Sequence, residues 1–261
     1  MILSAAAMMA LMVCGVTTAA ELHVPSQYAT IQAAVVAASG GDEILVAPGT
    51  YTRTGENQEV INPLGKWITI RATGTAEETI LDGEGAQHVV QYNSGENMNS
   101  VIEGFTITGA DANYGGGIYC YDSNPTITGC TISGNTANGG GGILLNKSQP
   151  YIIGCTITNN TANTDEGGGI YCFQSSHPTI IGCTITNNTA YKGGGIYCES
   201  SNPTIIDCTI TGNTANYGAG IYCESNNPTI TDCTISDNTL AVLGGGIYCR
   251  DSSPMITGCT I

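Results

Sequence analysis

The chain of 261 residues carries 6 basic against 21 acidic side chains, for a formal net charge of −15, and only 10% of its residues are charged. A surface this acidic argues against nucleic acid and anionic membrane as partners, and reads as the solvated coat of a secreted protein, with divalent cations the partners of greater interest. Glycine is abundant, with 36 residues, and there are 12 cysteines.

In chain order, residues 1–20 hold no charge, run apolar to Val16 and end in Thr18-Ala19-Ala20 before Glu21. This is the layout of a secretory signal peptide with a small-residue cleavage site. It lacks the positive start of such signals, so Met1 is read as an internal start or the sequence as clipped. A lipoprotein reading through Cys14 is weaker, because Val13 is a poor residue before a modified cysteine. No other apolar run approaches the roughly 18 residues of a transmembrane helix. The expected mature chain is therefore secreted or displayed at the cell surface, with no transmembrane span.

Residues 21–110 are expected to hold a capping helix and irregular coils. Over about 26–40, Ile31, Ala34, Val35 and Ala38 share one helical face, suited to covering the open edge of the first coil. Three irregular coils follow to residue 110. From 111 to 261 one pattern recurs: Gly-Gly-Gly-Ile-Tyr-Cys, a polar turn, then Pro-Thr-Ile-Thr-Gly-Cys-Thr-Ile-x-x-Asn-Thr-Ala. Its first isoleucine falls at Ile118, Ile143, Ile170, Ile196, Ile221 and Ile247, spacings of 25, 27, 26, 25 and 26. A fixed period in this range means stacked units that bury their apolar faces on one another. Within a unit the short runs alternate, Ile118 and Cys120 against Tyr119, Cys130 and Ile132 against Thr131 and Ser133, which is the strand period. Three short strands and three turns per unit make one coil of a parallel β-helix, whose equivalent residues form columns at roughly 4.8 Å. Asn135, Asn160, Asn188, Asn213 and Asn238 then stack at one turn, where amides can bond along the column. The last coil breaks off at Ile261, so the chain is expected to continue.

Eleven cysteines remain after the expected cleavage. Paired cysteines within a coil would change together, yet Leu145 stands where Cys120 would recur while Cys155 stays, and Phe105 stands where Cys130 would fall one coil earlier. A column that accepts Leu, Phe or Cys is an apolar core column, so the cysteines are read as mostly buried thiols, with bonds up a column sterically allowed.

Gly-Gly-Gly-Ile (Gly-Ala-Gly-Ile at Gly218–Ile221), followed by Ile-x-x-Asn at Ile132–Asn135, Ile157–Asn160 and Ile185–Asn188, resembles the paired short motifs of polymorphic outer-membrane protein repeats. Those repeats belong to bacterial surface adhesins and autotransporter passengers. More broadly the chain is similar to the right-handed parallel β-helix, pectin-lyase-like superfamily, and Val24–Ala34 followed by Gly41–Tyr51 looks like that superfamily's opening segment. The resemblance spans about residues 22–261. It implies an all-β, right-handed parallel β-helix of about 25 residues per coil with a short N-terminal capping helix. It leaves activity open among lyases, hydrolases, esterases, epimerases and non-catalytic adhesins.

Residues for chemistry are sparse. A pectate lyase would need clustered acids for calcium beside an Arg or Lys base, and the regular coils hold only Lys147, Lys192 and Arg250, none in such a cluster. His88 and His177 are isolated. No catalytic residue is singled out and no cofactor is required. Glu199 and Glu224 follow the first cysteine of consecutive coils, and Asp207 and Asp232 precede the second, so each pair sits about one strand spacing apart. They read either as solvated turn residues, with Arg250 softening the repulsion, or as oxygen ligands for calcium; a retaining glycosidase pair has similar spacing. Tyr119, Tyr171, Tyr197, Tyr222 and Tyr248 form an outward column, a platform for sugar rings or a protein partner or simply well-suited strand residues. The outward Thr and Ser pairs, from Thr131 and Ser133 to Thr234 and Ser236, resemble ice-binding β-solenoids. The sequence is read as a secreted or cell-surface bacterial module, adhesin-like or structural, whose partner is an extracellular polysaccharide or a host or neighbour surface. The alternative is a polysaccharide lyase or glycoside hydrolase with its catalytic residues in the irregular coils or beyond Ile261; ice binding is a third reading.

Overall fold

Alternation at period two lays three columns of isoleucine against one another. The structure, a computed structural model, describes residues 19–54, 59–164 and 166–261; the expected signal segment lies outside the described residues up to position 18. A first sheet of ten parallel strands runs from Glu21–Val24 to Met255–Thr257. In it Ile102, Ile127, Ile152, Ile180, Ile205 and Ile230 stand in register. A second sheet aligns Ile107, Ile132, Ile157, Ile185, Ile210 and Ile235. A third sheet of seven strands, from Val90–Tyr92 to Ile247–Arg250, aligns the isoleucines of the Gly-Ile-Tyr-Cys runs. The isoleucines of the first column are buried as far as Ile230, those of the second as far as Ile235 and those of the third as far as Ile221. Each contributes about 2 kcal/mol by leaving water. The irregular coils join the same first sheet through Glu43–Val46, Thr69–Ala72 and Val101–Glu103, so the solenoid is continuous across residue 110.

Each coil holds more pairing than three strands. After the asparagine corner the chain resumes pairing at Thr136–Gly139, Thr161–Ala162, Thr214–Tyr217 and Thr239–Leu243. The asparagine makes this fourth strand possible by replacing the ladder bonds lost at the bend. Its Nδ2 donates to the Oδ1 of the next asparagine at 3.0–3.1 Å from Asn135 through Asn213, and to an isoleucine carbonyl of the preceding coil. The same Oδ1 also accepts the backbone N–H of the preceding asparagine. A second buried ladder has no counterpart in the sequence reading. The backbone N–H groups of Ser123, Ser148 and Ser176 each donate to the hydroxyl of the serine one coil on. The buried Glu96 carboxylate heads it, accepting from the Ser123 hydroxyl and from the N–H groups of Gly65 and Ser94.

In each glycine run the residues do different work. The first, as at Gly115 and Gly193, is left-handed with φ +65° and +63°. The third is required by crowding: a Cβ on Gly117 would lie 2.7 Å from the Gly142 carbonyl and 2.9 Å from the Asn135 amide.

The N-terminal helix is shorter than expected, Ile31–Ala37 rather than 26–40, because Gln27 and Tyr28 turn back to bond the His23 carbonyl. Thr30 caps its start through Oγ1 accepting from Ala33 N–H at 3.1 Å. Lys66 Nζ closes its end by donating to the carbonyls of Val35, Val36 and Ala38 at 2.6–2.8 Å. Ile31, Ala34 and Val35 face inward, onto the strands Glu21–Val24 and Glu43–Val46.

Eleven cysteines are described, all free and nine of them buried. They stack in columns such as Cys172, Cys198, Cys223 and Cys249, and burial pushes the Cys130 thiol up to about 11. Unfolded without reductant, a chain starting at Glu21 is expected to titrate eleven thiols; a count near one would mean the columns are cross-linked. Asn188→Ala strands the Asn160 donors in the interior and is expected to lower unfolding free energy by about 3 kcal/mol in urea titration. Asn187→Gly, at an exposed left-handed position occupied by Gly134 and Gly212 in other coils, is expected to be neutral.

Candidate functional site

The second residue of each Ile-Tyr-Cys run points out of the solenoid, and parallel register stacks these residues. Ring centroids are 5.0 Å apart for Tyr171–Tyr197, 5.1 Å for Tyr197–Tyr222 and 5.0 Å for Tyr222–Tyr248. At that spacing each ring covers the next, and Lys192 Nζ lies 5.7 Å and 5.6 Å over the Tyr197 and Tyr222 rings. Tyr171, Tyr197 and Tyr222 are consequently only 7%, 2% and 3% exposed. The column is therefore not an open aromatic ladder: its middle is closed, and of the five tyrosines only Tyr119 and Tyr248 are half-buried. Burial, then a hydrogen bond to Glu224, pushes the Tyr197 hydroxyl far above its usual range and keeps it a donor.

The four candidate carboxylates divide between two corners. Glu199 and Glu224 are paired in register at the end of the third sheet, where Tyr171 and Tyr197 hydroxyls donate to them at 2.8 and 2.9 Å. Arg250 sits 3.0 Å and Lys192 3.9 Å from Glu224. Two cations beside oxygens that already accept hydrogen bonds do not fit a calcium site. Asp207 and Asp232 lie on the exposed turn between the first and second sheets, with φ +53° and +54°. Gly129, Gly154, Gly182 and Gly258 hold that left-handed position in other coils, so the aspartates are there as residues that tolerate it. Among the described residues no group of three or more His, Cys, Asp or Glu is placed to hold a metal ion. The outward Thr and Ser pairs stand in register as two columns along the second sheet.

The tyrosine column is interrupted once. Leu144 stands between Tyr119 and Tyr171, and the shorter side chain opens a cavity of about 410 Å³ over itself. Tyr119, Tyr171 and Phe173 wall it from the third sheet, Tyr114 and Glu166 from the side. Asn146 also lines it, its buried Oδ1 without a hydrogen-bond partner. Glu166 is held by Lys192 at 3.0 Å. On the far side of Tyr119 the stack continues with His88, centroids 4.9 Å apart and planes 18° from parallel. His88 Nδ1–H donates to the Gly115 carbonyl at 2.6 Å, and burial lowers its pKa, so the ring is neutral at pH 7. Aromatic faces, amides and phenol hydroxyls around an open notch suit a ring with one apolar face and polar edges.

Sequence reasoning named Tyr119 and Tyr171 as ligand surface and passed over Leu144, Tyr114, Glu166 and Asn146. It set His88 aside as isolated, whereas the structure stacks it on Tyr119. The available signal was Ile143-Leu144-Leu145, the one coil of the six that departs from Ile-Tyr-Cys.

A family described as right-handed beta helix region matches residues 79–218 and 154–261. The fold is that of the crystal structure of pectate lyase Pel9A, with a TM-score of 0.51 and 16% identity, covering 95% of this chain and 80% of the other. No curated protein matches the chain. Among the described residues no helix is long and apolar enough to cross a membrane.

Nitration of the folded protein is expected to modify Tyr114, Tyr121 and Tyr191, which are 40–51% exposed, and to spare Tyr197 and Tyr222. Mass-spectrometric mapping reads the result, and early nitration of Tyr197 would mean the column is open.

Proposed function

The chain belongs to the right-handed beta helix region family, and from that premise we propose that it is a secreted or cell-surface β-helix module, adhesin-like or structural in role, that binds glycan in the aromatic cleft over Leu144. The observation that carries this reading is the single break in an otherwise continuous aromatic stack, with ring faces of Tyr119 and Tyr171 on either side of the notch. A rod of in-register coils is a rigid scaffold for such a site, and its acidic surface suits an extracellular setting. The polysaccharide-active alternative, a lyase or glycoside hydrolase, draws its support from the fold shared with a pectate lyase. At 16% identity that likeness is one of fold.

The decisive variant is Leu144→Tyr. It installs the residue found in the same column of the other five regular coils, so the fold is expected to persist with an unchanged melt, while the new ring fills the notch. On a printed array of neutral, amino and acidic glycans, wild-type binding is expected and Leu144→Tyr is expected to weaken it at least tenfold, about 1.4 kcal/mol. Retained binding in the variant would remove the cleft from the proposal. Release of sugar fragments from bound polysaccharide would favour the enzyme.

A further inference from the structure

The cleft over Leu144 does not end at Tyr119. A second cavity, of about 220 Å³, is lined by Gln87, His88 and Asn113 together with Tyr114 and Tyr119, the last two being shared with the first. Tyr114 closes the strand Thr106–Tyr114 and is 51% exposed, standing up where the two cavities meet. The lining spans four successive coils of the third sheet, through Gln87 and His88 just before the strand Val90–Tyr92 and through residues of Ile118–Tyr121, Ile143–Asn146 and Ile170–Phe173. Three strand spacings give the combined depression an axial length of about 14 Å, too long for one sugar ring and sufficient for a short chain of them.

The lining also sets the charge of the occupant. Among the described residues no lysine or arginine lines either cavity, and the one carboxylate that does, Glu166, is paired with Lys192. The polar edges are otherwise the neutral amides of Gln87, Asn113 and Asn146 and tyrosine hydroxyls, with a neutral His88. Lys192 stands behind Glu166 and is held by the carboxylates of Glu166 at 3.0 Å and Glu224 at 3.9 Å, so it is engaged within the protein, and in a chain of net charge −15 the surface disfavours polyanions such as uronate chains. We infer that the two cavities form one groove for an uncharged linear oligosaccharide of at least three rings, lying along the solenoid axis with Tyr114 between its outer subsites. The inference rests on the reading of the cleft as a glycan site.

Calorimetric titration of the full chain tests it, with gluco-, xylo- and manno-oligosaccharides of one to six units beside oligogalacturonides of the same lengths. For at least one neutral series, Kd is expected to fall at least tenfold between one and three units and then level off. The oligogalacturonides are expected to bind at least tenfold more weakly at low salt. Tyr114→Ala, a change at an exposed position, is expected to weaken the three-unit ligand at least fivefold and the single sugar little. Affinity already complete with one unit, or oligogalacturonides binding as well as the neutral chains, would overturn the axial groove while leaving a glycan site at Leu144. Binding of none of these compounds would overturn the glycan reading and this inference with it.

Discussion

Everything in this molecule follows from one constraint: each side chain lies one strand spacing from its own counterpart in the coils above and below. A column is stable only if its residue is content beside a copy of itself. Isoleucine is, by dispersion and burial; asparagine is, because its amide donates one way and accepts the other; tyrosine is, by offset ring contact. A carboxylate is not. The chain accordingly holds few charges, and where carboxylates do meet in a column, as Glu199 and Glu224 do, a cation lies close by. Arg71 pairs in register with Glu103 and bonds Glu43 at 2.8 Å, and Glu224 is in register with Glu199 on one side and Arg250 on the other. Lys192 bridges Glu166 toward Glu224 across the tyrosines. These contacts offset repulsion that stacking creates and are part of the architecture before they are part of any site.

The same constraint says where a site can be. A perfect column closes on itself, as Tyr171, Tyr197 and Tyr222 do, and offers a ligand no room. Recognition requires a defect, and Leu144 is the defect in the aromatic column. It costs little, since leucine buries well where tyrosine did, yet it opens the notch between two ring-bearing coils. The adjacent 27-residue coil brings Glu166 and, through it, Lys192 to the same face.

The solenoid was legible because its signals are repeated: the isoleucine columns, the inward cysteines and the asparagine corner were each written several times. What was not legible depended on single residues or on neighbours distant in sequence. The helix shrank to Ile31–Ala37 because a turn at Gln27 and Tyr28 outweighed an apolar face. The burial of the tyrosines comes from ring-on-ring cover together with Lys192 over Tyr197 and Tyr222, a lysine found at that place in one coil only, which no periodicity encodes. The serine ladder was hidden because serine is common in turns of varying length, so its register shows only once the coils are superposed. Asp207 and Asp232 were open between solvated turn residues and calcium ligands, because the left-handed backbone that accounts for an aspartate there shows only in the structure. The cleft was half legible: its walls were named, while the leucine that creates it looked like noise in the repeat.

The asparagine ladder also bears on how such a chain can change its length. Every rung of it makes the same bonds forward and backward, so a whole coil duplicated or lost in the middle leaves no donor or acceptor stranded. Rod length is thus nearly free to drift by recombination between like coils, whereas the address of the one odd coil is not. Moving Leu144 relative to His88 and Tyr114 would erase the groove without disturbing a single hydrogen bond of the scaffold. Selection on such a protein acts on the order of its coils more than on their number.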